Sequence, residues 1–172
     1  MFRFILMFLV MFSGYANALY VLGDINQESK EKVCSLPKGD TVVLASDGGS
    51  VREAFIIGDC MKELQLKLVV VEAYSAAPLL GMLSPDVCIA KGAKIGLHAM
   101  SKTDGTVMSK EEHLEVHRGL VRALLRNGIP WDKAILIGGI MVMTPHEQLY
   151  YISDEDYANL LGDNFKGFCD KM

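Results

Sequence analysis

A chain of 172 residues that sets 17 lysines and arginines against 21 aspartates and glutamates has a formal net charge of -4. That balance, with no run of consecutive basic residues, excludes the electrostatic footprint that nucleic acid or anionic lipid requires. Hydrophobic residues make up 51% of the chain and charged residues 22%; the apolar N-terminus raises the first figure, and the remainder has an ordinary globular composition.

Arg3 precedes an apolar run from Phe4 to Phe12, which gives way to Ser13, Gly14 and the triplet Ala16-Asn17-Ala18. This is the pattern of a secretory signal peptide: the run is short for about 30 Å of hydrocarbon, and no stop-transfer segment follows it. Cleavage after Ala18 leaves residues 19–172, a length suited to one domain with one core, exported to the periplasm. Cys34, Cys60, Cys88 and Cys169 all lie in that part, where an oxidising compartment favours disulfides. Cys34 with Cys169 is the expected pair, tying down the chain end, because Cys60 and Cys88 read as buried core positions. No cysteine belongs to a CxxC pair, so zinc-knuckle and redox-motif readings have no spacing to rest on.

Leu19 to Leu22, closed by Gly23-Asp24, reads as a first strand, and Asn26 caps a polar helix from Gln27 to Cys34. Pro37-Lys38-Gly39-Asp40 is turn chemistry leading into Thr41 to Ala45, an apolar run without alternation and therefore a strand buried on both faces. Ser46-Asp47-Gly48-Gly49-Ser50 turns into a helix on which Val51, Ala54, Phe55, Ile57, Gly58, Met61 and Leu64 recur at helical spacing. Leu68 to Val71 is the next strand, and Glu72 to Pro78 leads into the helix Leu79 to Leu83. Val87 to Ala90 and Ile95 to His98 read as two short strands separated by Lys91 to Lys94. Strands alternating with helices predict βαβ units and a mainly parallel sheet.

Beyond Ala99 no further strand is expected. Met100 to Val107 is a polar loop, and Ser109 with Glu112 forms a capping box for a helix carrying Leu114, Val116, Leu120, Val121, Leu124 and Leu125. Pro130, at an N1-like position, opens a helix through Met143 that Thr144-Pro145 ends. A last helix starts at the cap Ser153 and stops at Gly162.

Three features in this order carry chemistry. The Gly48-Gly49 turn exposes backbone N–H groups at a helix N-terminus, where developing negative charge is favoured. Ser75 sits at a second strand-to-helix junction, as a helix cap or as a nucleophile near the carboxyl edge of the sheet. His98 ends a third strand, within reach of taking a hydroxyl proton.

Ser46-Asp47-Gly48-Gly49-Ser50-Val51 resembles the Ser-Pro-Gly-Gly-Ser-Val segment of the Clp protease proteolytic subunit and its exported relatives. Glu72 to Ala77 is similar to that family's small-residue nucleophile turn, Gly92 to His98 to its histidine strand, and Tyr151 to Asp156 to its aromatic-Leu-Ser-x-x-acid segment. The resemblance implies an α/β fold of the ClpP/crotonase-like kind, a mainly parallel sheet of repeated ββα units with flanking helices. It further implies Ser75 as nucleophile, His98 as general base, and the N–H groups of Gly49 and Ala76 as the oxyanion hole. A peptide or protein substrate, a homo-oligomer, and no cofactor or metal complete that picture.

Three positions depart from the family pattern. Asp47 stands where proline is usual, Tyr74 replaces a small residue before the nucleophile, and the family's aspartate falls on Leu149, which cannot orient a histidine. Glu147 is the nearest substitute acid, with Asp154 and Asp104 behind it. These departures keep a second reading alongside the peptidase: a catalytically inactive binding or assembly protein with an envelope or secretion partner. A crotonase-type acyl-CoA enzyme is disfavoured by export, and a Ser-Lys peptidase using Lys91 or Lys94 by the placement of His98. His113 and His117 lack the surroundings of a zincin helix and read as a solvated face. Met108, Met141 and Met143 read as fillers of core or interface gaps, and the Ile135 to Met143 segment as an interface or core stretch.

Overall fold

The computed structural model describes residues 19–101, 106 and 108–169; the expected signal peptide, residues 1–18, lies outside them. Leu19–Leu22 forms β1, the Asn26 side chain accepts from the Ser29 N–H to start α1 (Gln27–Cys34), and β2 (Thr41–Ser46) follows the proline turn. Ser50 caps α2 (Val51–Glu63), which leads to β3 (Lys67–Tyr74), α3 (Ala77–Leu83) and β4 (Val87–Leu97). Ser109 and Glu112 make the reciprocal capping box of α4 (Lys110–Arg126), and α5 (Trp131–Met143) follows, with Pro130 as its N-cap residue and not its first helical one. Then come β5 (Tyr150–Ile152), α6 (Asp154–Leu161) capped by Ser153, and β6 (Phe165–Cys169).

The sheet runs β1-β2-β3-β4-β5, with β6 beside β4. β1, β2, β3, β4 and β6 pair in parallel, and β5 alone is antiparallel. Val42, Leu44, Leu68, Val70 and Ile89 are fully buried, as unalternating runs in a sheet covered on both faces must be. Each such side chain contributes about 1.5–3 kcal/mol of burial.

Strands and helices alternate one for one from β1 to β4, so the repeating unit here is βα and not the expected ββα. Two further expectations about strands are corrected. Val87 to Leu97 is one strand: Ile89 pairs with Val70 and Lys94 with Glu72, so the residues between bulge outward where two separate strands were expected. Strands also continue past Ala99, as β5 and β6. Both are short and half exposed, three and five residues long, too brief to announce themselves; they exist because β4 offers them free backbone partners.

The expected Cys34–Cys169 pair is overturned. Cys34 bonds Cys60 and Cys88 bonds Cys169, with Cα–Cα distances of 5.2 and 5.9 Å. Helices α1 and α2 lie side by side, bringing their last turns together, and β6 lies along β4 with Ala90 opposite Cys169. Cys60 and Cys88 are half-buried and not core residues. The Lys30 ammonium sits 3.3 Å from the Glu53 carboxylate across the same α1–α2 contact.

His117 is also not on a solvated face: its Nε2 is buried without a hydrogen-bond partner among the described residues, and Gly138 of α5 leaves the space the ring occupies. Met141 is buried, Met143 exposed.

Candidate active site

At the end of β2 the chain turns sharply through Gly48 and Gly49, with φ of +106° and +135°, values that residues with a Cβ rarely adopt. Ile25 fixes this turn, its N–H donating to the Gly48 carbonyl and its carbonyl accepting from the Ser50 N–H, both at 2.8 Å. The Ser46 hydroxyl accepts from the Gly48 N–H at 3.0 Å. The Gly49 N–H has no backbone acceptor among the described residues, and it stands just before the N-terminus of α2.

Beside this turn, β3 gives way to α3 through Ser75. The Ser75 N–H donates to the Gly96 carbonyl of β4 at 2.9 Å, which holds the residue in line with the neighbouring strand. Its φ is +59°, a left-handed conformation that costs a residue with a Cβ about 1–3 kcal/mol and persists only where surrounding structure imposes it. Ala76, not Ser75, occupies the N-cap of α3, and no side chain caps that helix. The hydroxyl of Ser75 is therefore not spent on capping. The Ala76 N–H, like that of Gly49, has no backbone acceptor among the described residues.

His98 follows the last residue of β4. Its Nδ1 lies 2.7 Å from the Ala99 carbonyl oxygen, and Ala99, buried, is held in turn by its own N–H donating to the Thr144 carbonyl at 3.0 Å. The imidazole also meets the ring of His146 edge-on, with centroids 5.0 Å apart.

A cavity of about 480 Å³ is lined by Gly49, Ser75 and His98 together, with Val51, Met100 and Met108 as apolar wall. No hydrogen bond joins the Ser75 hydroxyl to His98; the two side chains meet only across this shared space. His98 also lines a second cavity, of about 390 Å³, with Asp47, Tyr74, His146, Glu147 and Leu149. Asp47 and Tyr74 thus line this second cavity and not the one that Ser75 shares with His98. Burial first, and the Glu72 carboxylate second, hold the Tyr74 phenol above its ordinary pKa, so it stays a neutral hydroxyl.

Leu149 lies over Gly96, where an added Cβ would meet its Cδ2 at 3.2 Å. Glu147 is exposed and makes no hydrogen bond to His98. Asp154 accepts from the Gly92 and Glu155 N–H groups, and Asp104 lies outside the described residues. Among the described residues no group of three or more His, Cys, Asp or Glu could hold a metal ion, and no helix is long and apolar enough to cross a membrane.

The chain is similar to ClpP1 from Listeria monocytogenes, with a TM-score of 0.63 over 90% of this chain and 92% of that one, at 16% sequence identity. It is also similar to the ClpP protease catalytic domain from Plasmodium falciparum, with a TM-score of 0.61 over 90% and 86% of the two chains, at 12% identity. The fold is ClpP-like. No protein-family model and no curated protein matches the sequence.

Within this ClpP-like frame the sequence reading missed Ala99, Met100 and His146. Nothing at the level of residue type marks a backbone carbonyl as a partner for an imidazole. Met100 and Met108 become wall only because the fold brings them to one cavity with Val51 at the start of α2.

Proposed function

We propose that this protein is an exported ClpP-like serine peptidase. The observation that carries the reading is Ser75: a strained residue at a strand-to-helix junction, free of any capping duty, facing one cavity with His98 and Gly49. In this reading the His98 Nε2 takes the Ser75 hydroxyl proton as Oγ attacks a peptide carbonyl carbon. The N–H groups of Gly49 and Ala76 bind the oxyanion that forms; a fixed donor of this kind supplies about 3 kcal/mol. The imidazolium then gives its proton to the leaving amine as the C–N bond breaks, and water activated by His98 releases the acyl group from Ser75.

Export to the periplasm is supported by the pattern of residues 1–18 and by two disulfides that use every cysteine of the chain, an arrangement typical of oxidising compartments. A homo-oligomer is supported by α5, which leaves Trp131 64% and Met143 84% exposed. Leu149 over Gly96 and the carboxylate of Asp47 favour the second reading, a catalytically inactive binding or assembly protein of an envelope or secretion apparatus.

A serine-directed fluorophosphonate separates the two. Under the peptidase reading the purified mature protein takes the label, and Ser75→Ala and His98→Ala do not. A folded wild type that stays unlabelled ends the peptidase reading and leaves the binding protein.

A further inference from the structure

A serine nucleophile needs its histidine in one tautomer, with the proton on Nδ1 and the lone pair on Nε2, and an aspartate accepting from Nδ1–H ordinarily selects it. The residue that the family resemblance places there is Leu149, whose side chain has no acceptor and is spent packing over Gly96. The Nδ1 of His98 is nevertheless not without a partner. It lies 2.7 Å from the Ala99 carbonyl oxygen, at the short end of the N–H···O range.

We propose that the Ala99 backbone carbonyl takes the place of the triad acid, fixing the tautomer and orientation of His98. The inference rests on the peptidase reading of Ser75 and His98. A carbonyl oxygen carries no proton, so a hydrogen bond between it and Nδ1 requires the proton on the ring nitrogen, and Nε2 is left as the base. The acceptor is itself rigid: Ala99 is 4% exposed and hangs on the Thr144 carbonyl through its own N–H, so it is fixed to the end of α5. Ala99 is thus a positioning residue acting through its main chain. The competing acids are differently engaged, Glu147 in solvent and Asp154 on Gly92. A neutral dipole does what a carboxylate does for orientation but supplies no charge to the imidazolium, so the site is a slower peptidase than one with a complete triad.

The test uses the mature wild-type protein labelled with ¹⁵N-histidine, above the pH at which imidazoles titrate, with His98→Ala to assign the resonance. The expected result is a neutral His98 protonated on Nδ1, the minor tautomer of a free histidine side chain. Protonation on Nε2 overturns the inference. In parallel, fluorophosphonate labelling rates are measured for Glu147→Gln and Asp104→Asn, each expected within threefold of wild type. A loss of thirtyfold or more in either names an acid as the orienting group and overturns the inference while the peptidase reading stands. A protein with the Nδ1–H tautomer that takes no label keeps the hydrogen bond to Ala99 and loses the peptidase reading alone.

Discussion

Gly48 is packed against Ser75 so closely that a Cβ added to the glycine would lie 2.5 Å from Cβ of the serine and 2.7 Å from the Tyr74 carbonyl. The glycine turn after β2 and the serine turn after β3 are therefore one structural unit, and neither can shift without the other. Gly48→Ala meets a rigid backbone on one side and a φ of +106° on the other. We expect it to cost about 1–3 kcal/mol of stability from backbone strain alone and to lower the rate of fluorophosphonate labelling of Ser75 by at least tenfold. Urea unfolding and labelling kinetics of the same preparation check both; a variant with wild-type values in each refutes the coupling.

Tyr157 reaches from α6 to α3, where its hydroxyl donates to the Pro78 carbonyl at 2.5 Å, and Gly81 provides the gap in which the phenol sits. Tyr157→Phe keeps the ring and leaves a buried carbonyl without this donor, a loss of about 1–3 kcal/mol. The urea midpoint of the variant should fall without a change in slope. Since α3 begins directly after Ser75 and Ala76, the variant also tests whether α6 supports the serine turn from below.

The same phenol gives the protein an alkaline limit. Burial raises the Tyr157 pKa well above its ordinary value of 10.0, so the folded state favours the neutral form and the unfolded chain ionises first. Its contribution is fully present below the unfolded pKa and is lost as pH rises above it. Unfolding free energy measured from pH 8 to 11 should therefore decline from about pH 10 upward, and more steeply in the wild type than in Tyr157→Phe. Equal slopes would show that other groups set the limit.

The two disulfides close loops with sequence separations of 26 and 81 residues. Loop-closure entropy assigns them about 3.5 and about 4.5 kcal/mol. Peptide mapping under non-reducing conditions should recover Cys34 joined to Cys60 and Cys88 joined to Cys169. Replacing Cys88 and Cys169 together by Ala should lower the melting temperature more than the same change at Cys34 and Cys60, and the reverse order would count against the entropic account.

Much of the architecture was legible in the residues. The unalternating runs at Thr41 to Ala45 and Leu68 to Val71 read as buried strands, and Asn26, Ser109 and Ser153 announced their helices because a side-chain oxygen at the N-cap satisfies N–H groups that the helix itself cannot. Placing Gly49, Ser75 and His98 at the ends of successive strands followed from that order alone, since parallel strands carry their carboxyl ends to one edge of the sheet. These are local facts, fixed by the periodicity of side chains along a strand or helix.

What the tertiary structure decided concerns pairs of groups distant in the chain or invisible as residue types. β5 and β6 are too short to declare themselves and form against a strand already in place. The cysteine pairing depended on which helices and strands become neighbours, and spacing does not encode that. The left-handed turn of Ser75 is imposed by Gly48, in the turn after β2, and by Gly96 of β4. The partner of His98 is a main-chain carbonyl, which every residue possesses, so only the folding of the chain beyond β4 selects the one at Ala99.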